Sequence, residues 1–314
     1  MIQNLPLPFK ASLSKEMIPI KRIYLDRRAP RVCILGASKH TMEELFSGLG
    51  AGYLTAESTV SGWTQFENQN HATVSIFDAR NYDPNSDSGV PNLDPAPDIV
   101  MVFADSAASF DIGLANPLPQ LPGVPVFNLS AKSPPKKATE GDSSFSLSDN
   151  DWQEQLCASL PLEAQLEFAR LLSAKRAQAY IASTLLKSFG AVSGAIGMQP
   201  IPLADMPLLL SIQAAMVALI VHTSGRPANI KLASEFLAAL GISAGAGFLF
   251  RETARALLRF IPLWGNAVSG LIAGTGTYAI GRAAIAYFID DSPLIETRRL
   301  FLSLMKPQKK PILG

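Results

Sequence analysis

Read for its apolar and polar positions, the chain of 314 residues falls into two halves with different periods. Between residues 31 and 130 the apolar runs are short and β-branched. Val32–Leu35, Thr73–Phe77, Ile99–Phe103 and Val124–Phe127 are each bounded by Gly, Pro or Asp, the pattern of buried parallel strands. Met42–Leu49 has the spacing of a first helix, and Val60–Phe66 reads as an additional strand. Connections such as Asp83–Pro97 are short and rich in Pro, Asn and Asp, leaving little room for a full set of covering helices. From Asp151 onward the pattern is helical. Asp151–Leu160 stops at Pro161, and a long amphipathic segment runs Leu162–Phe189. Apolar segments follow at Gly190–Met198, Met206–His222, Leu232–Phe250 and Phe260–Ile289, and amphipathic Leu294–Met305 precedes Lys306, Lys309 and Lys310.

These elements predict an α/β N-terminal domain with a small, mostly parallel, Rossmann-like sheet, followed by an all-α helical domain. The expected boundaries are an N-terminal extension at 1–30, the α/β domain at 31–130, a linker at 131–150 and an apolar helical domain at 151–314. The linker, AKSPPKKATEGDSSFSLSDN, has tandem prolines, then Ser, Gly and charges, with almost nothing to bury.

Composition narrows the classes. Apolar residues make up 48% and charged residues 17%, against about a quarter charged in an ordinary soluble domain. Residues 1–150 hold 12 Lys/Arg against 16 Asp/Glu, and residues 151–314 hold 15 against 10, so the halves carry −4 and +5. That is too mild for a nucleic-acid reader, whose basic face dominates its domain, but it suits a helical half near anionic lipid. Cys33 and Cys157 lack metal-ligand spacing and read as buried thiols of a reducing compartment. The start, MIQNLPLPFKASLSKE, has Pro6 and Pro8 in place of a continuous apolar core and does not read as a secretory signal. The expected location is cytoplasmic, peripheral or integral to the inner membrane.

Candidate chemistry concentrates in RVCILGASKHTMEE, residues 31–44, an apolar strand running into a loop where a phosphate-binding P-loop would sit. That pattern needs Gly, four residues, then Gly-Lys-Ser/Thr. Gly36 is present, but Thr41, Met42 and Glu43 stand where the second glycine, the lysine and the magnesium-binding hydroxyl belong. Lys39 lies inside the loop, either as a shifted phosphate ligand or as a solvated lysine. His40, His71 and His222 are scattered without zinc spacing. Ser38 and Ser130 lack the Gly-x-Ser-x-Gly context of a hydrolase.

The helical half carries Gly-x-x-x-Gly three times, at Gly190/Gly194, Gly241/Gly245 and Gly270/Gly274. Small residues one turn apart let helix backbones approach closely, in lipid or in a dry core. Asp205 is the lone acid between Ser188 and Gly225; its place before Met206–His222 suits an N-terminal cap, and a polar site between helices is the alternative. Arg251, Arg255 and Arg259 share one helical face, for solvent or for contact with lipid head groups or an acidic partner. Met206–Gly225 and Phe260–Gly281 reach the roughly 20 residues of a membrane span, although His222, Thr223, Asn266, Thr275 and Thr277 interrupt them.

Two stretches, GAIGMQPIPLADMPLLLSIQAAMVALI and GTGTYAIGRAAIAYF, resemble the YcjF-like bacterial helical domain of unknown function. The resemblance covers roughly residues 160–290 and rests on Pro200, Pro202 and Asp205, then Gln213-Ala214-Ala215-Met216, then Thr277-Tyr278-Ala279-Ile280-Gly281. That domain is often fused behind an Era-like GTPase domain, which implies a GTPase-like reading of residues 31–130. The motifs of that family are degraded. Asp78 is followed by Ala79, Arg80 and Asn81 where Asp-x-x-Gly belongs, so Asp78 could reach a magnesium while the γ-phosphate glycine is missing. The guanine-reading Asn-Lys-x-Asp is replaced by Asn128, Leu129, Ser130 and Ala131. Phosphoryl transfer relies on positioning and charge stabilisation, so hydrolysis is not expected, and neither is a cofactor, GTP included. Residual nucleotide contact would fall to Gly36, Lys39 and Asp78.

The leading expectation is a catalytically inactive GTPase-like protein acting as a membrane-associated or self-assembling scaffold or adaptor. Its protein partner is unspecified, it takes no nucleic acid, and it contacts membrane through the helical domain or forms a homo-oligomer. The rivals are an atypical NTP-binding enzyme using Lys39 and Asp78, and a structural subunit of a larger bacterial assembly.

Overall fold

The computed structural model describes residues 17–36, 41–49, 51–52, 54–80, 93–104, 123–130, 143–146, 151–198, 205–242 and 265–305. Among them the chain forms a mixed, mostly parallel sheet followed by helices, in two compact units, residues 22–178 and residues 1–21 with 179–314.

The strands are β1 (Arg31–Leu35), β2 (Leu54–Val60), β3 (Trp63–Asn68), β4 (Thr73–Asp78), β5 (Ile99–Ala104), β6 (Val126–Ser130) and β7 (Ser143–Ser146). Their order across the sheet is β2-β3-β4-β1-β5-β6-β7. β4, β1, β5, β6 and β7 run parallel, and β3 pairs antiparallel with both β4 and β2. Val32 to Leu35 and Ile99 to Phe103 are buried without alternation, which marks central strands covered on both faces. One face packs Cys33, Leu35, Ala79, Val100 and Val102 into a single apolar cluster.

Val60–Phe66 holds the turn of a hairpin rather than one continuous strand. Ser61 and Gly62 both take positive φ, 52° and 82°, the signature of a two-residue primed turn that matches strand twist. A Cβ on Gly62 would lie 2.7 Å from the Phe77 ring, so glycine is needed there on two counts. β7 lies within the polar stretch after residue 131 and pairs in parallel with β6.

Helix α1 (Met42–Gly48) follows β1 and buries Leu45 and Phe46. α2 (Asp151–Ser159) and α3 (Leu162–Leu171) belong to the same unit as the sheet, and eight of the ten α3 residues are buried. Asn68 donates from Nδ2 to the Leu171 carbonyl at 3.1 Å, and the Thr73 amide donates to Glu167 at 3.3 Å. Glu167 and Arg170 form a buried ion pair at 3.3 Å, and Arg170 also donates to the Asn70 carbonyl at 2.7 Å. Burial pulls the Arg170 guanidinium below its ordinary value while Glu167 opposes the shift. The segment Leu162–Phe189 is interrupted where Ser173 takes φ 49°, which ends α3 and lets α4 (Lys175–Gly197) start. α4 continues through Gly190–Met198 without a break.

The helical unit contains most of α4, then α5 (Asp205–Thr223), α6 (Ile230–Ala239), α7 (Gly265–Phe288) and α8 (Leu294–Met305). α7 packs with α5 and with α8, and α6 packs with α5. Phe236 of α6 stacks on Tyr287 at a ring separation of 5.4 Å and meets the tilted ring of Phe288 at 5.1 Å. Asn229 caps α6 by accepting from the Leu232 amide at 3.1 Å.

Candidate functional sites: the switch-point crevice and the glycine-faced helices

β1 hands the chain on towards β4 on one side, whereas β5 hands it on towards β6 on the other. The carboxyl ends of β1 and β5 therefore flank the topological switch point, where doubly wound sheets open a crevice for ligands. Gly36 sits at that point with φ +102°, and a Cβ there would overlap the Phe103 carbonyl oxygen. Glycine is required by the close approach of two backbones, whether or not anything binds.

The next element closes on itself. Thr41 is the N-cap of α1: its hydroxyl accepts from the Glu44 amide at 3.3 Å, and Glu44 Oε2 accepts from the Thr41 amide at 2.8 Å. A phosphate-binding helix would offer those N–H groups and its positive dipole end to the ligand. Here a reciprocal capping box uses two of them and places a carboxylate at the mouth. The sequence reading missed this box, and the signal that marks it is the Thr-x-x-Glu spacing at 41–44.

Asp78 ends β4 beside the crevice, with both carboxylate oxygens held by Arg80. Nε donates to Oδ1 and Nη2 to Oδ2, each at 2.9 Å, and the Arg80 amide adds a third bond at 3.2 Å. Burial alone would raise the Asp78 carboxyl, but the Arg80 bonds outweigh it and hold the group below the usual carboxylate range. Burial, with help from Asp78, pushes the Cys33 thiol up to about 12; burial and Glu154 do the same for Cys157, also to about 12. Neither thiol is a nucleophile at neutral pH. His71 pairs with Glu67, and among the described residues no cluster of His, Cys, Asp or Glu could hold a metal ion. Lys39 lies outside the described residues.

In the helical unit, α4 and α7 meet along two of the Gly-x-x-x-Gly pairs. A Cβ on Gly194 would lie 3.2 Å from the Gly270 carbonyl oxygen, and one on Gly274 would lie 3.0 Å from that of Gly190. At Gly270 it would come within 2.6 Å of the Gly194 carbonyl oxygen. The two backbones thus touch over a full turn, the contact that small residues permit. Gln213 of α5 donates to the Thr277 hydroxyl of α7 at 3.2 Å, satisfying a fully buried threonine. An open groove of about 680 Å³ runs along the α4–α7 seam, lined in part by Lys187, Met198, Leu271 and Tyr278.

Gly241 has a different use: its φ of +91° terminates α6, with its amide donating to the Ala238 carbonyl at 2.9 Å. α5 begins at Asp205 itself, whose side chain is not among those described. Arg251, Arg255, Arg259 and Gly245 lie outside the described residues. Among the described residues one helix, Lys175–Gly197, is long and apolar enough to cross a membrane by length and composition, with 39% of its apolar window buried.

No protein-family model matches the chain. One similar protein is magnetosome membrane protein 22 of Magnetospirillum gryphiswaldense, 27% identical over a 115-residue alignment that covers 34% of this chain. The match spans 57% of that protein's length.

Proposed function

We propose that this is a catalytically silent, GTPase-like protein that serves as a membrane-associated scaffold or adaptor. The observation that carries the reading is the self-capped start of α1. Two of the amides at that helix start, those of Thr41 and Glu44, are bonded to each other's side chains, and the Glu44 carboxylate repels the negative charge that a nucleotide would bring. The parallel sheet with β1 at its centre supports a nucleotide-fold ancestry, while Gly36 is accounted for by backbone packing alone. The rival NTPase would need Asp78 to leave Arg80 before it could serve a metal. Membrane association draws on the apolar helical half, on the span-length α4 and on the relative named for a membrane.

The silent-domain part is tested by thermal unfolding with GTP and magnesium. A ligand present at 100 times its dissociation constant stabilises by about 2.7 kcal/mol, which moves a midpoint by several degrees. No shift is expected, and a reproducible rise would overturn the reading. The membrane part is tested by fractionating bacteria that produce the full chain; recovery entirely in the supernatant would count against it.

A further inference from the structure

Helix α8 does not divide its faces as a helix on a water-exposed surface does. Its inner side buries Thr297 and Phe301, and it packs on α7. The opposite side should then be polar. Instead Ile295 is 69% exposed and Leu302 is 48% exposed on that side; Leu294 and Leu304, on the stripe of Thr297 and Phe301, are exposed at the two ends of the helix. Single exposed aliphatics are ordinary, but four on one 12-residue helix are not.

The charges on the outer side are predominantly basic, two arginines against the exposed Glu296. Ile295, Arg298, Arg299 and Leu302 stand at i, i+3, i+4 and i+7 and so share a face. Both arginines are exposed, and no ion pair involves either one among the described residues. From Thr297 to Gly314 the sequence holds five Lys/Arg and no Asp or Glu. A helix whose outer face mixes aliphatics with arginines matches the boundary of an anionic bilayer. There the aliphatics enter the acyl edge, and guanidinium groups on long apolar stems reach the phosphates.

We infer that the outward face of α8 seats this protein on an anionic lipid surface, with Ile295 and Leu302 inserted and Arg298 and Arg299 against the head groups. The inference rests on the membrane reading above and names the contact. A second copy fits less well, because a two-fold pairing of this face would set the arginines near their own counterparts. A helix about 18 Å long also offers far less than the roughly 800 Å² per partner of a stable interface.

The test is flotation of the full chain with vesicles of phosphatidylcholine alone and of phosphatidylcholine with one third phosphatidylglycerol. The wild type should float with the anionic vesicles, and less so as salt is raised. The pair Arg298→Gln/Arg299→Gln should lower partitioning on the order of 30-fold, and Ile295→Ser/Leu302→Ser should abolish it. Both variants should keep the wild-type melting midpoint, because the altered side chains face outward. If both variants float like the wild type, the α8 assignment falls while membrane association stands. If the wild type floats with neither vesicle, both fall. If the aliphatic pair instead converts an oligomer to a monomer by light scattering and leaves flotation unchanged, this face is a self-association surface and the inference is wrong.

Discussion

At the start of β5 the carboxylate of Asp98 accepts four N–H bonds. Arg28 supplies a bidentate pair at 2.6 Å each, and Arg31 gives its amide at 2.8 Å and a guanidinium N–H at 3.2 Å. Burial would raise this carboxyl, but the bonds from Arg28 and Arg31 win and hold it below the usual range. A depressed folded-state value means that its stabilisation is complete above the unfolded value of about 3.9 and is lost as pH falls through the folded one. Asp98→Asn should therefore cost about 2–4 kcal/mol at neutral pH, measured by urea unfolding, and the gap to wild type should narrow under acid conditions. At this scale the sequence was partly legible. Gly36 stood out as the first glycine of a P-loop pattern, whereas the Thr41-x-x-Glu44 cap was missed although its spacing is local. The partners of Asp98 and of Asp78 could not be read. Arg28 lies 70 residues from Asp98, and nothing local marks Arg80 as a bond to Asp78 rather than a solvated side chain.

Among the elements, the strands β1 and β5 announce themselves because burial on both faces demands unbroken apolar runs, and β4 because its buried Val74 and Ile76 alternate along a β-branched run. The β2–β3 hairpin did not, since Val60 and Trp63 keep the apolar character going through a two-residue turn. The split between α3 and α4 was equally hidden, because it depends on one serine taking a left-handed conformation that no residue type requires. The α4–α7 seam gives a sharp expectation. Gly270→Ala places a methyl against the Gly194 carbonyl, whereas at Gly276 a methyl meets nothing within 4 Å. Gly270→Ala should destabilise by about 2 kcal/mol through overpacking, while Gly276→Ala should stabilise by about 0.5–1 kcal/mol through helix propensity. Chemical denaturation of the two variants side by side checks the opposite signs.

For the whole molecule, the mixed-sheet-then-helices architecture was legible from the change in hydrophobic period, and the grouping of α2 and α3 with the sheet was not. Their sequence is helical like everything after it, and what ties α3 to the strands is long-range: Asn68 to Leu171 and Thr73 to Glu167. A fragment of residues 22–178 should accordingly unfold in one cooperative transition, because its apolar core closes within itself. A fragment ending at residue 150 should show no such transition in calorimetry, having lost the helices that pack with the sheet. The two cysteines of the chain, Cys33 and Cys157, are both interior to this same unit, and the helical unit has none. Alkylation of the native protein therefore acts as a built-in stopwatch: every modified sulfur records an opening of the sheet-bearing unit, and the apolar helices are silent in that record without a single engineered residue.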